Sequence, residues 1–277
     1  MEIFDAHTHV FPPEVIRDRK KISGQDERFA VIYGDARARM ADIGGLLANM
    51  KKDGTARCVV SGFSFQDSGL LRLSNDYILE ASSRAPALVP FVQANIGNER
   101  EAIGELERCF ARGARGVGEI ALYEEALDGK SLKKLEGIAR CAEERQKILM
   151  LHTNEQVGHA YRGKMRADFG QILGFIGRHR DLDIILSHLG GGLCFYEFVP
   201  EVRECLGRTY YDTAAVPFIY STDVYRFINE FLWEKVLFGS DYPLLTAARY
   251  REGMSLMDKE KQARVWSGNA KRIFGDA

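Results

Sequence analysis

A chain of 277 residues is long enough for one large α/β barrel, a fold that uses about 250, and its composition of 45% hydrophobic and 28% charged residues excludes a disordered chain. Its 38 basic and 39 acidic residues leave a formal charge of −1, which excludes binding to nucleic acid or a membrane surface through a strong overall field. The cysteines, Cys58, Cys109, Cys141, Cys194 and Cys205, are odd in number and lack CxxC spacing, which argues against a disulfide framework and a thiolate zinc site.

No apolar run approaches the roughly 18–20 residues that span a bilayer, and the opening Met-Glu-Ile-Phe-Asp leaves no room for a basic n-region followed by an apolar h-region. A soluble protein of the reducing cytoplasm is expected.

The first β-rich run, Glu2–Ala6, leads directly into His7 and His9. The stretch Phe11–Met40 has two prolines, many charges and no sustained periodicity, so it is predicted as a long connection, of the kind that usually covers an active site, before a helix around Ile43–Lys51. Strands are then predicted at Arg57–Gly62, Leu88–Asn95, Gly116–Ile120, Ile148–His152, Asp183–Ser187, Thr209–Thr213 and Val236–Gly239. Several read as continuous apolar runs, as strands covered on both faces do. Between and after them, apolar residues recur at three- and four-residue spacing in Asn75–Arg84, Glu99–Arg112, Leu132–Arg145, Phe169–Arg178 and Val224–Phe231, and a final helix is expected over Asp258–Phe274, broken near Gly268. Eight alternating units predict an α/β fold, a (β/α)8 TIM barrel with an elaborated first βα loop, as a single domain over residues 1–277.

Side chains alternate across a strand, so His7 and His9 point to the same side and can share one metal ion. His152 ends the fifth predicted strand in KILMLHTN, His188 the sixth in DIILSHLGGG, and Asp241 follows the eighth in VLFGSDYPL. A lone histidine after an apolar strand is usually a hydrogen-bonded structural residue. Five such residues at strand ends, which converge on one face of a barrel, point instead to a metal centre.

Imidazole and carboxylate ligands without thiolate suit Zn2+, and equally Mn2+, Fe2+ or Co2+, as one or two ions. A bound divalent ion lowers the pKa of its water from 15.7 to about 7, which is hydrolytic chemistry. Asp241 and His188 are the candidate catalytic residues: Asp241 to take a proton from water and pass it to the leaving group, His188 to position substrate or bind metal.

The segments FDAHTHVF, LHTN, LSHLGGG and LFGSDYPL resemble the successive signatures of the amidohydrolase superfamily over almost the whole chain. Asn75–Glu119, LSHLGGG and SDYP are most similar to the amidohydrolase-related branch that includes aminocarboxymuconate-semialdehyde decarboxylase and many hydrolases. The resemblance implies metal binding by His7, His9, His152 and Asp241, with His188 a second-metal ligand or a catalytic group. No lysine ends strand four or five, so the carboxylated-lysine bridge of phosphotriesterase-like members has no candidate. Glu119, in RGVGEIAL, resembles instead the GEIGLD-type segment where TatD-type nucleases place a bridging glutamate; its alternative is an acid that hydrogen-bonds a histidine ligand.

The loop after strand five, NEQVGHAYRGK, offers Glu155, His159, Tyr161 and Lys164 for an anionic small-molecule substrate, and Asp212 in YYDTAA is expected to touch substrate or orient a ligand. Gly190, Gly191 and Gly192 permit either close approach of a ligand or a tight turn, and Asn269 reads as a cap or turn residue. Hydrolysis of an amide, lactone or ester is the expected activity. Decarboxylation of a carboxylated small molecule is its rival, a catalytically silent metal-binding protein is a third reading, and a homo-oligomer remains open.

Overall fold

The computed structural model describes residues 2–275. All eight predicted strands form: Ile3–His9 (β1), Thr55–Ser61 (β2), Leu88–Val92 (β3), Gly116–Ile120 (β4), Ile148–Leu151 (β5), Ile184–Leu186 (β6), Thr209–Asp212 (β7) and Val236–Leu237 (β8). They pair in parallel in chain order from β1 to β8. Backbone hydrogen bonds bring the ends together: Ala6 N–H donates to Phe238 O (2.7 Å), His9 N–H to Tyr242 O (2.7 Å) and Asp241 N–H to His7 O (3.0 Å). This is the (β/α)8 barrel, with helices outside the sheet.

Polar caps set the helix starts. Asp67, Asn98 and Asp168 accept backbone N–H bonds two residues into the helices Ser68–Arg84, Glu99–Ala111 and Phe169–Arg178. Asp128 and Ser131 form a capping box on Gly129–Glu144. β3 stops at Val92, short of the predicted Asn95, because the Asn75 side chain takes over the main chain of Gln93: Gln93 N–H donates to Asn75 Oδ1 (2.8 Å) and Asn75 Nδ2 to Gln93 O (3.0 Å).

Phe4, Val59, Phe91, Met150, Ile185 and Leu237, from six different strands, fill the lower barrel. Phe274 of the last helix plugs it, its ring 5.4 Å from that of Phe4 and 5.9 Å from that of Phe91. A larger apolar layer lies between sheet and helices. With the lower end filled by side chains, the opposite, carboxyl end of the strands is left for chemistry.

Three local expectations are corrected. The first βα connection is not irregular throughout: it holds three short helices, Pro13–Arg17, Arg19–Ser23 and Glu27–Tyr33, too brief to show a period. Phe11, Val15, Ile22 and Phe29 from this segment pack on Phe63, Phe65 and Leu71. The last helical segment does not break at Gly268; Arg264–Gly268 is a π-helical turn between Lys259–Ala263 and Asn269–Phe274. Asn269 is no cap, since its amide donates to Trp233 O (2.6 Å) and Val236 O (2.8 Å) and so ties the final helix to the start of β8. All five cysteines are free, and no helix among the described residues is long and apolar enough to cross a membrane.

Candidate metal centre

The strand ends bring His7, His9 and Asp241 together as one group and Glu119, His152 and His188 as another, each with ligand atoms within 4.8 Å of one another. In β1 the alternation expected of a strand turns both histidines to the same place: His7 Nε2 and His9 Nε2 are 2.9 Å apart. Asp241 Oδ1 lies 3.8 Å from the first and 3.6 Å from the second. Across the barrel His152 Nδ1 is 3.1 Å from His188 Nε2.

Glu119 stands between the groups. Its Oε1 is 3.0 Å from His152 Nδ1 and 3.5 Å from His188 Nε2, while its Oε2 is 3.5 Å from both His7 Nε2 and His9 Nε2. One carboxylate thus faces four imidazoles with its two oxygens divided between them.

The local backbone produces these positions. A Cβ at Gly118, where φ is +116°, would collide with the Met150 carbonyl, so only glycine lets β4 approach β5 just before Glu119. After β6, His188 and Leu189 adopt left-handed φ of 58° and 56°, and Gly190, Gly191 and Gly192 continue at 64°, 61° and 99°. A Cβ at Gly191 would meet the Asn154 backbone. The glycines therefore make the tight turn that swings His188 over the barrel.

Asp212 lies beneath the histidines, fully buried. Its Oδ2 accepts a hydrogen bond from His7 Nδ1 (2.8 Å), and its Oδ1 accepts the backbone N–H of His188 (2.9 Å) and of Ala214 (3.0 Å). The structure sets Asp212 against His7, outside the lining of the cavity above the centre. His188 Nδ1 likewise donates to Ala214 O (2.8 Å). Both bonds leave Nε2 of each histidine as the lone-pair nitrogen directed at the centre, the arrangement that orients metal-ligating imidazoles.

The charges fit a cation. Glu119, Asp241 and Asp212 make no ion pair with lysine or arginine among the described residues; their partners are histidines. Burial opposes the charge on Glu119, yet His7 and His152 hold its carboxyl well below the usual range. Burial likewise opposes protonation of His188, yet the hydrogen bond and charge of Glu119, with Asp241 and Asp212, push it up to about 9. His7 and His188 are pushed toward the protonated form by the carboxylates beside them, and a divalent ion meets the same demand in place of protons. The donor set fits one or two divalent ions: His7, His9 and Asp241 would hold one, Glu119, His152 and His188 the other.

Above the centre is a cavity of about 670 Å³, bordered by His9, His152, His188 and Asp241 at its base. His159 and Tyr161 line it, as do Tyr33, Phe63, Tyr123 and Phe218, with Arg37, Arg39 and Arg162 among its polar lining. Lys164, expected to face substrate, is not in that lining. Its ammonium is taken up by Val157 O (2.7 Å), His159 O (3.0 Å) and Glu155 Oε1 (2.9 Å), so it staples its own loop. Tyr33, Arg37 and Arg39 belong to the first βα connection and were not singled out by sequence. Arg19 arranges that turn by donating to the carbonyls of Tyr33, Asp35, Ala36 and Ala38. Asp35 joins it to the loop after β5 through Arg162 (3.0 Å).

The amidohydrolase family model matches residues 4–275, and the chain belongs to this family. No curated protein sequence matches it. Among solved structures, the 5-carboxyvanillate decarboxylase of Sphingomonas paucimobilis aligns over 99% of this chain and 98% of its own, with 19% identity and a TM-score of 0.74. The same activity's enzyme from Novosphingobium aromaticivorans, with bound manganese and 3-methoxy-4-hydroxy-5-nitrobenzoic acid, aligns over 98% and 96% with 15% identity and a TM-score of 0.76. The 2,6-dihydroxybenzoate decarboxylase of Rhizobium aligns over 99% and 98% with 16% identity and a TM-score of 0.66. At these identities the likeness establishes the shared fold.

Proposed function

We propose that this chain is a metal-dependent decarboxylase of a small aromatic or conjugated carboxylic acid, acting at the centre beneath the 670 Å³ cavity. The observation that carries this reading is the pairing of a cation-holding base with walls of aromatic and apolar side chains, Tyr33, Phe63, Tyr123, Phe218, Ile219 and Leu244, in one cavity. A flat, carboxylated molecule is complementary to both parts. The three decarboxylases of similar fold support it, and they move decarboxylation ahead of the hydrolysis expected from sequence.

The donor set suits zinc and manganese alike, and a bound ion supplies positive charge that holds the carboxylate end of the substrate. The chain's own groups then have defined tasks. Tyr123, whose ring meets that of His152 edge-on at 5.1 Å, and Phe63, stacked on Tyr123 at 6.0 Å, fix the plane of the substrate ring. Asp241, at the base of the open cavity, takes up a proton from solvent and passes it to the carbon that bears the carboxylate. The carbon–carbon bond then breaks with its electron pair returning to the ring, and carbon dioxide leaves. His188 is held in its orientation at the centre by Ala214 O and Glu119.

One observation favours a second reading, hydrolysis: the Glu119 carboxylate is divided between two triads, as a two-ion hydrolase requires. A substrate panel separates the two. Metal-loaded protein is incubated with hydroxylated and methoxylated benzoates and, in parallel, with amides, lactones and esters. Carbon dioxide released in step with loss of a benzoate supports decarboxylation; turnover of the second panel without carbon dioxide from the first brings hydrolysis forward.

A further inference from the structure

Glu119 can share its carboxylate between two groups of histidines only if its main chain is held at one height and one rotation in the barrel. The residue before it supplies no stiffness, since Gly118 has φ of +116°. The grip comes from neighbouring strands. Gln93, just past β3 and fully buried, places Nε2 2.9 Å from Glu119 O, 3.0 Å from Ser61 Oγ and 3.1 Å from Gly62 O. The Ser61 hydroxyl in turn donates to the carbonyl of Gly118. Both peptide carbonyls flanking the Glu119 nitrogen and side chain are therefore held from the side.

Two carbonyls and a hydroxyl already committed as donor are all acceptors, so the Gln93 amide has one orientation, with its NH2 toward β4. That orientation leaves Gln93 Oε1 buried without a hydrogen-bond partner among the described residues. The amide thus gives up a partner for its own oxygen while its NH2 satisfies the main-chain carbonyls of Gly62 and Glu119, so the side chain is committed to holding this stretch of backbone. The amide is itself anchored, because Asn75 on the helix Ser68–Arg84 holds the Gln93 main chain through both its amide atoms.

We propose that Gln93, with Ser61 as its relay, is a positioning residue for metal loading: it fixes the backbone on both sides of Glu119 so that Oε1 and Oε2 address separate triads. The inference rests on the reading of Glu119 as a ligand shared by two ions.

The test needs no substrate. Parent, Gln93→Leu and Ser61→Ala proteins are stripped of metal and titrated with Mn(II), following equivalents bound, magnetic coupling between the ions by electron paramagnetic resonance, and the thermal midpoint. The parent is expected to take two ions with a coupled signal. Gln93→Leu should keep the first ion at parental affinity, lose the coupled signal and bind the second about 10–100-fold more weakly, the usual effect of removing an outer partner of a metal ligand. Ser61→Ala should shift the second ion in the same direction by less, and it decides the matter if Gln93→Leu does not fold. Parental affinities and coupling in the folded variants overturn the proposal. Equal weakening of both ions with a lower thermal midpoint overturns it too, because that marks a general structural role. A parent that takes one ion even in excess Mn(II) removes the shared-ligand premise, and the parent titration alone identifies that failure.

Discussion

Replacing Asp212 by asparagine changes almost no volume but reverses a proton two bonds from the centre. Asp212 Oδ1 accepts two backbone N–H bonds, from His188 at 2.9 Å and Ala214 at 3.0 Å, so an asparagine there must keep its oxygen on that side. Its NH2 is then presented to His7 Nδ1, which today donates to Oδ2 at 2.8 Å. To accept that bond His7 must move its proton to Nε2, the nitrogen that faces His9, Glu119 and Asp241. The ligand nitrogen is thereby blocked, and the buried negative charge that favours a cation is lost as well. Loss of such an outer partner usually costs 10–100-fold in metal affinity, about 1.4–2.7 kcal/mol. Titration of metal-free protein with Zn(II) against a chromophoric chelator measures it, with circular dichroism to show that the barrel is intact. The weakening is expected at the His7/His9 ion. A folded Asp212→Asn protein with parental affinity at that ion would refute the tautomer argument.

Glu119→Gln keeps shape but removes the shared charge, so bound metal should fall from two equivalents toward one with the His7/His9/Asp241 ion retained, as read by elemental analysis after dialysis. Asp241→Asn should retain most of its metal while turnover of an identified substrate falls about 10²–10⁴-fold, the usual contribution of a proton-transfer group; activity near the parent's assigns the proton to another residue. Metal affinity should rise with pH: His188 in the metal-free protein stays protonated until about pH 9, and metal must displace that proton. Each proton displaced makes the binding constant fall about tenfold per unit of pH below that value, so competition titrations at several pH values should slope upward, and a flat profile would contradict the linkage.

Much of the centre was legible in the sequence. Alternation in β1 puts His7 and His9 on one side, and the recurrence of His152, His188 and Asp241 after apolar runs marks one face of a barrel. Glu119 was legible as the acidic residue closing β4, because strand ends in this fold have only one place to converge. These are short-range signals: a period of two along a strand and the side on which a chain leaves it.

What the sequence could not contain is which loop atoms meet across the barrel. Lys164 and Arg39 look alike as basic loop residues, yet Lys164 is consumed by two carbonyls and Glu155 while Arg39 lines the cavity. Arg28, in the first connection, is buried against Glu124 and helps to fold that connection into a wall. Asp212 was placed near the site by its strand, but its office beneath His7 follows from a contact between residues 205 positions apart. Periodicity and strand order thus determined the barrel and its metal-binding face. Only the tertiary structure decided how each charge is used, because a hydrogen bond depends on distances of a few tenths of an ångström between segments far apart in the chain.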